Sequence, residues 1–287
     1  VMKSLSVRIG ISLIFLACTS CSTGEDASEQ RKGDAAKPPA ISLEGGVELP
    51  PLPIGAYGIG EEEGYVLDQA RVAVVNRCLA RSPVDFRLPS PPKVDESGYS
   101  RRYGVIDAHV AATYGYHDAR DESAASVPPE PNAKEKKLLF GQDGRGGCMR
   151  EANLALGSDT VPSRGVDIAR TIDVTSFQES QKLPEITEVF SEWSSCMSRR
   201  GWDYPSPMAA AGGDWFVSAS PSPQEKRVAQ ADAACKDEVD LVDRWHRAES
   251  KLQQRMIRDN TEELEGLKRF HSGMVEKARS LLRETRS

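Results

Sequence analysis

Apolar residues recur at helical spacing along much of the chain. Ile186, Val189, Phe190, Trp193 and Met197 share one helical face, which predicts an amphipathic helix over residues 184–200 closed by Gly201. Leu67, Ala70, Val74 and Val75 predict another before Cys78. The longest stripe runs through Val228, Ala231, Cys235, Val239, Val242, Trp245, Leu252, Met256, Leu264, Leu267, Phe270, Met274, Ala278 and Leu281. It opens on Ser222-Pro223-Gln224-Glu225, a capping Ser with Pro in the first helical position and Glu three residues after the Ser. The stripe predicts a long helix over 222–286, either continuous or folded back as a hairpin around 259–261. Its apolar face needs a partner, because such a helix is stabilised mainly by packing. The comparable stripe at 184–200 is expected to supply it, antiparallel to 222–258, with Trp193 and Trp245 in a shared core. Residues 107–115 read as a short helix begun by Asp107 and ended by Gly115. Residues 118–136 read as a loop.

Two segments repeat. Cys78 is followed by Asp85, Phe86 and then Pro89-Ser90-Pro91. Cys196 is followed by Asp203, Tyr204 and then Pro205-Ser206-Pro207. Asp lies seven residues after the cysteine in both copies, and the aromatic eight. Each half then holds a second cysteine at a predicted helix, Cys148 and Cys235. Four cysteines allow three pairings, and the repeat favours Cys78–Cys148 and Cys196–Cys235, one staple per half. A zinc site is disfavoured. The folded region has no Cys-x-x-Cys, and no His lies within five residues of its cysteines.

The N-terminus reads as an address. Lys3 and Arg8 precede a short apolar run at residues 9–17, about half of the roughly 20 residues a spanning helix needs. The leading Val1 before Met2 reads as a translated alternative start codon. The run ends at Cys18-Thr19-Ser20-Cys21, which resembles a bacterial lipobox and implies a lipidated cysteine at the mature N-terminus. Cys21 is favoured over Cys18, because losing Cys18 with the leader leaves an even four cysteines for an oxidising compartment. Residues 1–20 are therefore assigned as signal peptide and 21–50 as a disordered tether poor in apolar periodicity. Residues 51–160 and 161–287 form an N-terminal and a C-terminal helical half.

Composition narrows the function classes. The chain of 287 residues has 37 Lys+Arg against 43 Asp+Glu and a net charge of −6. Loss of Lys3 and Arg8 with the leader lowers this to −8, so nothing points to nucleic acid. No Gly-x-Ser-x-Gly, phosphate loop or His-Glu-x-x-His motif occurs. No catalytic residue, metal or cofactor is therefore assigned. Gly144-Arg145-Gly146-Gly147 before the Cys148 helix reads as a turn or, less favoured, an anion cradle. Tyr103, Tyr116 and His117, with Arg101 and Arg102 nearby, are candidates for a polar pocket. Trp202 and Tyr204 are candidates for an aromatic ligand or glycan contact. His246, beside Trp245 on a charged helix, is expected to face solvent.

The run Arg101-Arg102-Tyr103-Gly104, the Tyr114-Gly115-Tyr116-His117 run, the Cys196 to Tyr204 segment and the helix from Ala233 to Trp245 resemble a family of actinobacterial secreted proteins or lipoproteins. The resemblance spans most of residues 50–285. It implies a cell-envelope origin and a helical fold, and it carries over no catalytic residue. The expected protein is mainly α-helical, with two disulfide-stapled halves and a long C-terminal helix or hairpin. Its expected place is the extracytoplasmic face of a bacterial cell membrane, held there by lipid. Its expected role is a non-catalytic interaction or scaffolding module whose partner is an envelope protein or peptidoglycan. The alternative is a solute- or glycan-binding lipoprotein.

Overall fold

A computed structural model describes residues 49–91, 101–118, 130–142 and 144–284. Cys18, Cys21 and the tether up to residue 48 lie outside the described residues. Among the described residues the chain is mainly helical, with ten α-helices and no strand. None of these helices is long and apolar enough to cross a membrane.

Helix α1 (Glu61–Leu79) buries Leu67, Ala70, Val74, Val75 and Leu79, the stripe expected of it. Helix α2 (Ala108–Tyr114) starts at Asp107, whose side chain accepts from the amides of His109 and Val110, both at 2.8 Å. It stops at Gly115. Helix α3 (Ala133–Phe140) precedes α4 (Gly147–Leu156). Gly147 has φ +67°, and a Cβ there would sit 2.3 Å from the Leu138 carbonyl oxygen. The glycine run is thus a close turn of α4 against α3.

Helix α5 (Ser163–Ser180) was not marked by the apolar pattern, because its buried positions are Gly165, Ile172, Ser176 and Ser180. Helix α6 (Pro184–Arg199) buries Ile186, Val189, Phe190, Trp193, Cys196 and Met197. Gly201 follows it at φ +85°, and the Trp202 amide returns to the Met197 carbonyl at 3.0 Å, closing the helix as the sequence predicts. A short helix α7 (Pro207–Ala211) follows the second Pro-Ser-Pro and is capped by Ser206.

The C-terminal stripe belongs to three helices, α8 (Pro223–Glu238), α9 (Leu241–Arg258) and α10 (Thr261–Glu284). The Ser222–Glu225 capping box is present. The break at 259–261 falls where the stripe thins. The break at Val239–Asp240 was not foreseen. There Asp240 takes φ 50°, a left-handed conformation that a short polar side chain tolerates better than most.

Both disulfides pair as the repeat predicts. Cys78–Cys148 and Cys196–Cys235 have Cα atoms 5.5 and 5.7 Å apart. The repeat extends further than its apolar text. Asn76, two residues before Cys78, exchanges hydrogen bonds with both backbone groups of Leu88 at 2.8–2.9 Å. Ser194, two before Cys196, donates to the carbonyl of Tyr204 at 2.7 Å. Leu88 and Tyr204 each immediately precede the Pro-Ser-Pro. Beyond each staple, the Arg three residues after the first cysteine pairs with the Glu three residues after the second. These pairs are Arg81–Glu151 and Arg199–Glu238.

The direction of packing differs from expectation. Trp193 meets Asp232, Cys196 meets Cys235, and Arg199 meets Glu238. Both helices advance together, so α6 and α8 run parallel rather than antiparallel. In the other staple Arg71 meets Asn153 while Cys78 meets Cys148, so α1 and α4 are antiparallel.

The largest core joins α6, α8 and α9 with Tyr103, Val105, Val110, Ala111 and Tyr116, and it contains both Trp193 and Trp245. A second core joins Leu67 and Ala70 of α1 and Leu156 of α4 with Met274, Val275 and Ala278 of α10. Helix α10 therefore folds back. Each half holds its own staple, yet each also completes a core in the other.

Candidate functional site

Three buried carboxylates draw the 101–117 segment onto the helices, two from α8 and one from α9. Glu225, Asp232 and Lys236 stand on one face of α8, seven and four residues apart. Asp232 accepts from the Trp193 indole at 3.1 Å, the Tyr116 hydroxyl at 3.2 Å and the Lys236 ammonium at 2.9 Å. Lys236 also donates to the Val105 carbonyl at 2.9 Å. Burial pushes the Asp232 carboxyl up and the Lys236 ammonium down, and their mutual attraction opposes both shifts. A buried ion pair of this kind persists because further hydrogen bonds support it, from Trp193 and Tyr116 to Asp232 and from Lys236 to Val105.

Glu249 on α9 forms the second cluster. It accepts from the Tyr103 hydroxyl at 2.8 Å, the Ser176 hydroxyl at 3.1 Å and Arg102 Nε at 2.9 Å. Arg102 also reaches the Asp173 carboxylate at 2.8 Å. Burial works against the Arg102 charge, but the hydrogen bond and charge of Glu249 outweigh it and hold the guanidinium above its ordinary value. Burial, with the neighbouring carboxylates, pushes the Tyr103 and Tyr116 phenols far up, so both stay neutral donors. One helical turn beyond Glu249, Gln253 donates to Ser176 at 3.0 Å and accepts from the Ile54 amide at 3.0 Å.

Glu225, in the first turn of α8, completes the set. Its Oε1 accepts from the Tyr116 amide and faces His117 Nδ1, both at 2.8 Å. Its Oε2 accepts from the Ser222 amide at 3.2 Å. Gly115 makes room for it: a Cβ there would lie 2.5 Å from the carboxylate. His117 Nε2 lies 3.0 Å from the Ser218 carbonyl oxygen.

An open cleft of about 350 Å³ borders these struts, lined by Arg101, Gly104, Tyr116, Met208, Ala211 and Phe216 among others. Arg101 donates to the Tyr116 carbonyl at 2.6 Å. Trp215 stacks on Tyr116 with ring centroids 6.0 Å apart and donates to the Ala210 carbonyl at 2.7 Å. Phe216 and Val217 are 61% and 87% exposed, the most exposed large apolar pair among the described residues.

The expected pocket residues therefore separate. Tyr116 lines the cleft, and His117 sits behind the loop that borders it. Tyr103 is a core strut. Trp202 and Tyr204 are half-buried against the main core. His246 does not face solvent: it is buried, with Nε2 2.8 Å from the Pro50 carbonyl. Glu225 is legible as the capping Glu but not as a buried strut, and Asp232 and Glu249 do not stand out singly in the sequence, because charged residues on a mixed-charge helix read as a solvated face. A signal was present in the i, i+4 pair Asp232–Lys236, which interrupts neither cap nor stripe. A second depression of about 460 Å³, lined by Arg164, Asp167, Thr171, Met256 and Asn260 among others, holds none of the candidate residues. Among the described residues no group of three or more His, Cys, Asp or Glu is placed to hold a metal ion. Comparison with family models, curated proteins and solved structures finds no match.

Proposed function

We propose that this chain is a lipid-anchored extracytoplasmic bacterial protein, anchored through Cys21, that serves as a non-catalytic interaction or scaffolding module at the cell envelope. The observation that carries this reading is the use of all four cysteines of the folded part in two disulfides. Such pairing suits an oxidising compartment, and the leader followed by Cys21 suits export to one. The interaction role is supported by how the polar chemistry is spent. The buried carboxylates, Lys236, Tyr103 and Tyr116 are committed to holding helices together. What faces outward beside the cleft is the apolar Phe216–Val217 pair, a feature that marks contact sites.

The cleft itself favours one alternative, a solute- or glycan-binding lipoprotein whose ligand lies in the cleft against the exposed face of Phe216. Saturable binding of a soluble peptidoglycan fragment, lost in Phe216→Ala, would favour that alternative. The anchor is tested by fractionation. Cys21→Ser should move the mature chain from the membrane fraction to the medium, since one lipid-modified residue provides the attachment. Release in Cys18→Ser but not in Cys21→Ser would move the lipid to Cys18. Retention of both single variants and of the double variant would remove the lipid anchor from the account.

A further inference from the structure

We propose that His117 is a proton-controlled latch: its doubly protonated ring clamps the Trp215–Ser218 loop to the start of α8, and loss of one proton frees that loop beside the cleft.

Both ring nitrogens of His117 face acceptors. Nδ1 meets a Glu225 oxygen at 2.8 Å and Nε2 meets the Ser218 carbonyl at 3.0 Å. A neutral imidazole carries one N–H, so one of these contacts would set lone pair against lone pair; only the imidazolium donates to both. Glu225 cannot relieve the conflict by donating. Its other partners are the backbone N–H groups of Tyr116 and Ser222, the pattern of an ionised carboxylate. The ring itself is only 13% exposed and Glu225 1%, so solvent screens the pair weakly.

The order in which the contacts fail follows from their strength. The bond to the carboxylate is charge-assisted and the bond to the carbonyl is not. On deprotonation the surviving proton stays on Nδ1, and Nε2 turns a lone pair toward Ser218. The released contact is therefore the one that holds the loop. The Trp215 bond to Ala210, its stacking on Tyr116, and the tilted contact of Phe216 with the His117 ring, centroids 5.2 Å apart, stay with the loop.

Other charges surround the latch. Arg101 lies on the Tyr116 carbonyl, and Arg102 and Asp118 line the adjoining cleft. The Asp232–Lys236 pair is two turns further along α8, with the Tyr116 hydroxyl between. Among these, Glu225 is the charge in direct contact, and it favours the protonated ring. Burial of the ring opposes its charge, and the two acceptors, one of them a carboxylate, favour it; the latch requires that the acceptors prevail in the native state. The latch is closed below the ordinary imidazole value of about 6.5 and opens as pH rises through the higher native value. Opening frees the segment that carries Phe216 and Val217.

The test is an NMR titration of the full 15N-labelled chain between about pH 5 and 9. The His117 midpoint should lie above the ordinary imidazole value of about 6.5. Nε2 should lose its proton while Nδ1 keeps one, and the Trp215 indole N–H resonance should shift with the His117 midpoint. In His117→Gln the Trp215 transition should vanish. A Trp215 resonance that ignores the His117 titration overturns the latch. So does a His117 midpoint at or below about 6.5, or a ring that keeps both protons throughout. If His117→Gln does not fold, the nitrogen shifts of the unmodified chain decide.

Discussion

Trp245 and Lys236 show how differently two buried side chains are held. Trp245 is fully buried, with Phe177 stacked at 5.3 Å, Phe190 edge-on at 5.0 Å and its indole N–H on Ser180. Its place was legible, because it falls on the stripe that faces Trp193. Trp245→Ala should cost about 3–5 kcal/mol, read as a large fall in melting temperature; a melt within a degree of the parent would place the ring at the surface. Lys236 was not legible, since a lysine beside acids on a helix reads as solvated. Lys236→Met leaves Asp232 buried against two donors without its counter-charge, and should cost about 3–5 kcal/mol in a denaturant titration. Lys236→Met with Asp232→Leu should recover much of that loss, since apolar replacement of a whole buried pair is often tolerated. Equal losses in the single and double variants would show that the pair does more than satisfy itself.

Among the elements, helices with an apolar stripe or a capping signature were readable and helices packed through small or polar residues were not. Helix α6 announces itself through Ile186 to Met197, and α8 through Ser222 to Glu225. Helix α5 packs through Gly165, Ser176 and Ser180. A Cβ on Gly165 would lie 3.0 Å from the Glu263 carbonyl, so this face depends on closeness rather than on apolar area. The turn between α8 and α9 was invisible for another reason. The stripe from Val228 to Trp245 keeps helical phase across it, while the backbone departs at Val239 and, in the left-handed region, at Asp240. Asp240→Gly should stabilise the protein by about 1 kcal/mol by removing the left-handed penalty, and Asp240→Val should destabilise it. If glycine there lowers stability in a denaturant titration, the carboxylate rather than the backbone sets that turn.

For the whole molecule, the repeat located the staples but not the partnership between halves. Four cysteines allow three pairings, and the one observed is favoured by the repeated segment. The shared cores do not follow from it, because they depend on long-range contacts that no local pattern records. Residues 49–57 lie across the C-terminal helices, with Pro50, Ile54 and Tyr57 on His246, Gln253 and His271 in turn. The 101–117 segment fills the core of α6, α8 and α9, and α10 covers α1 and α4. The described residues should therefore unfold in a single transition, with tryptophan fluorescence and far-UV circular dichroism coincident. Two separated transitions, one of them retained in a chain of residues 161–287 alone, would mean that the halves fold independently.

Export, anchoring and oxidation of one and the same chain are tested together by the intact mass of the protein from the membranes of its own cells. The predicted species lacks residues 1–20, carries lipid on Cys21, and weighs four hydrogens less than the reduced chain because of its two disulfides. A chain that retains residues 1–20, bears no lipid, or keeps its thiols free would contradict it.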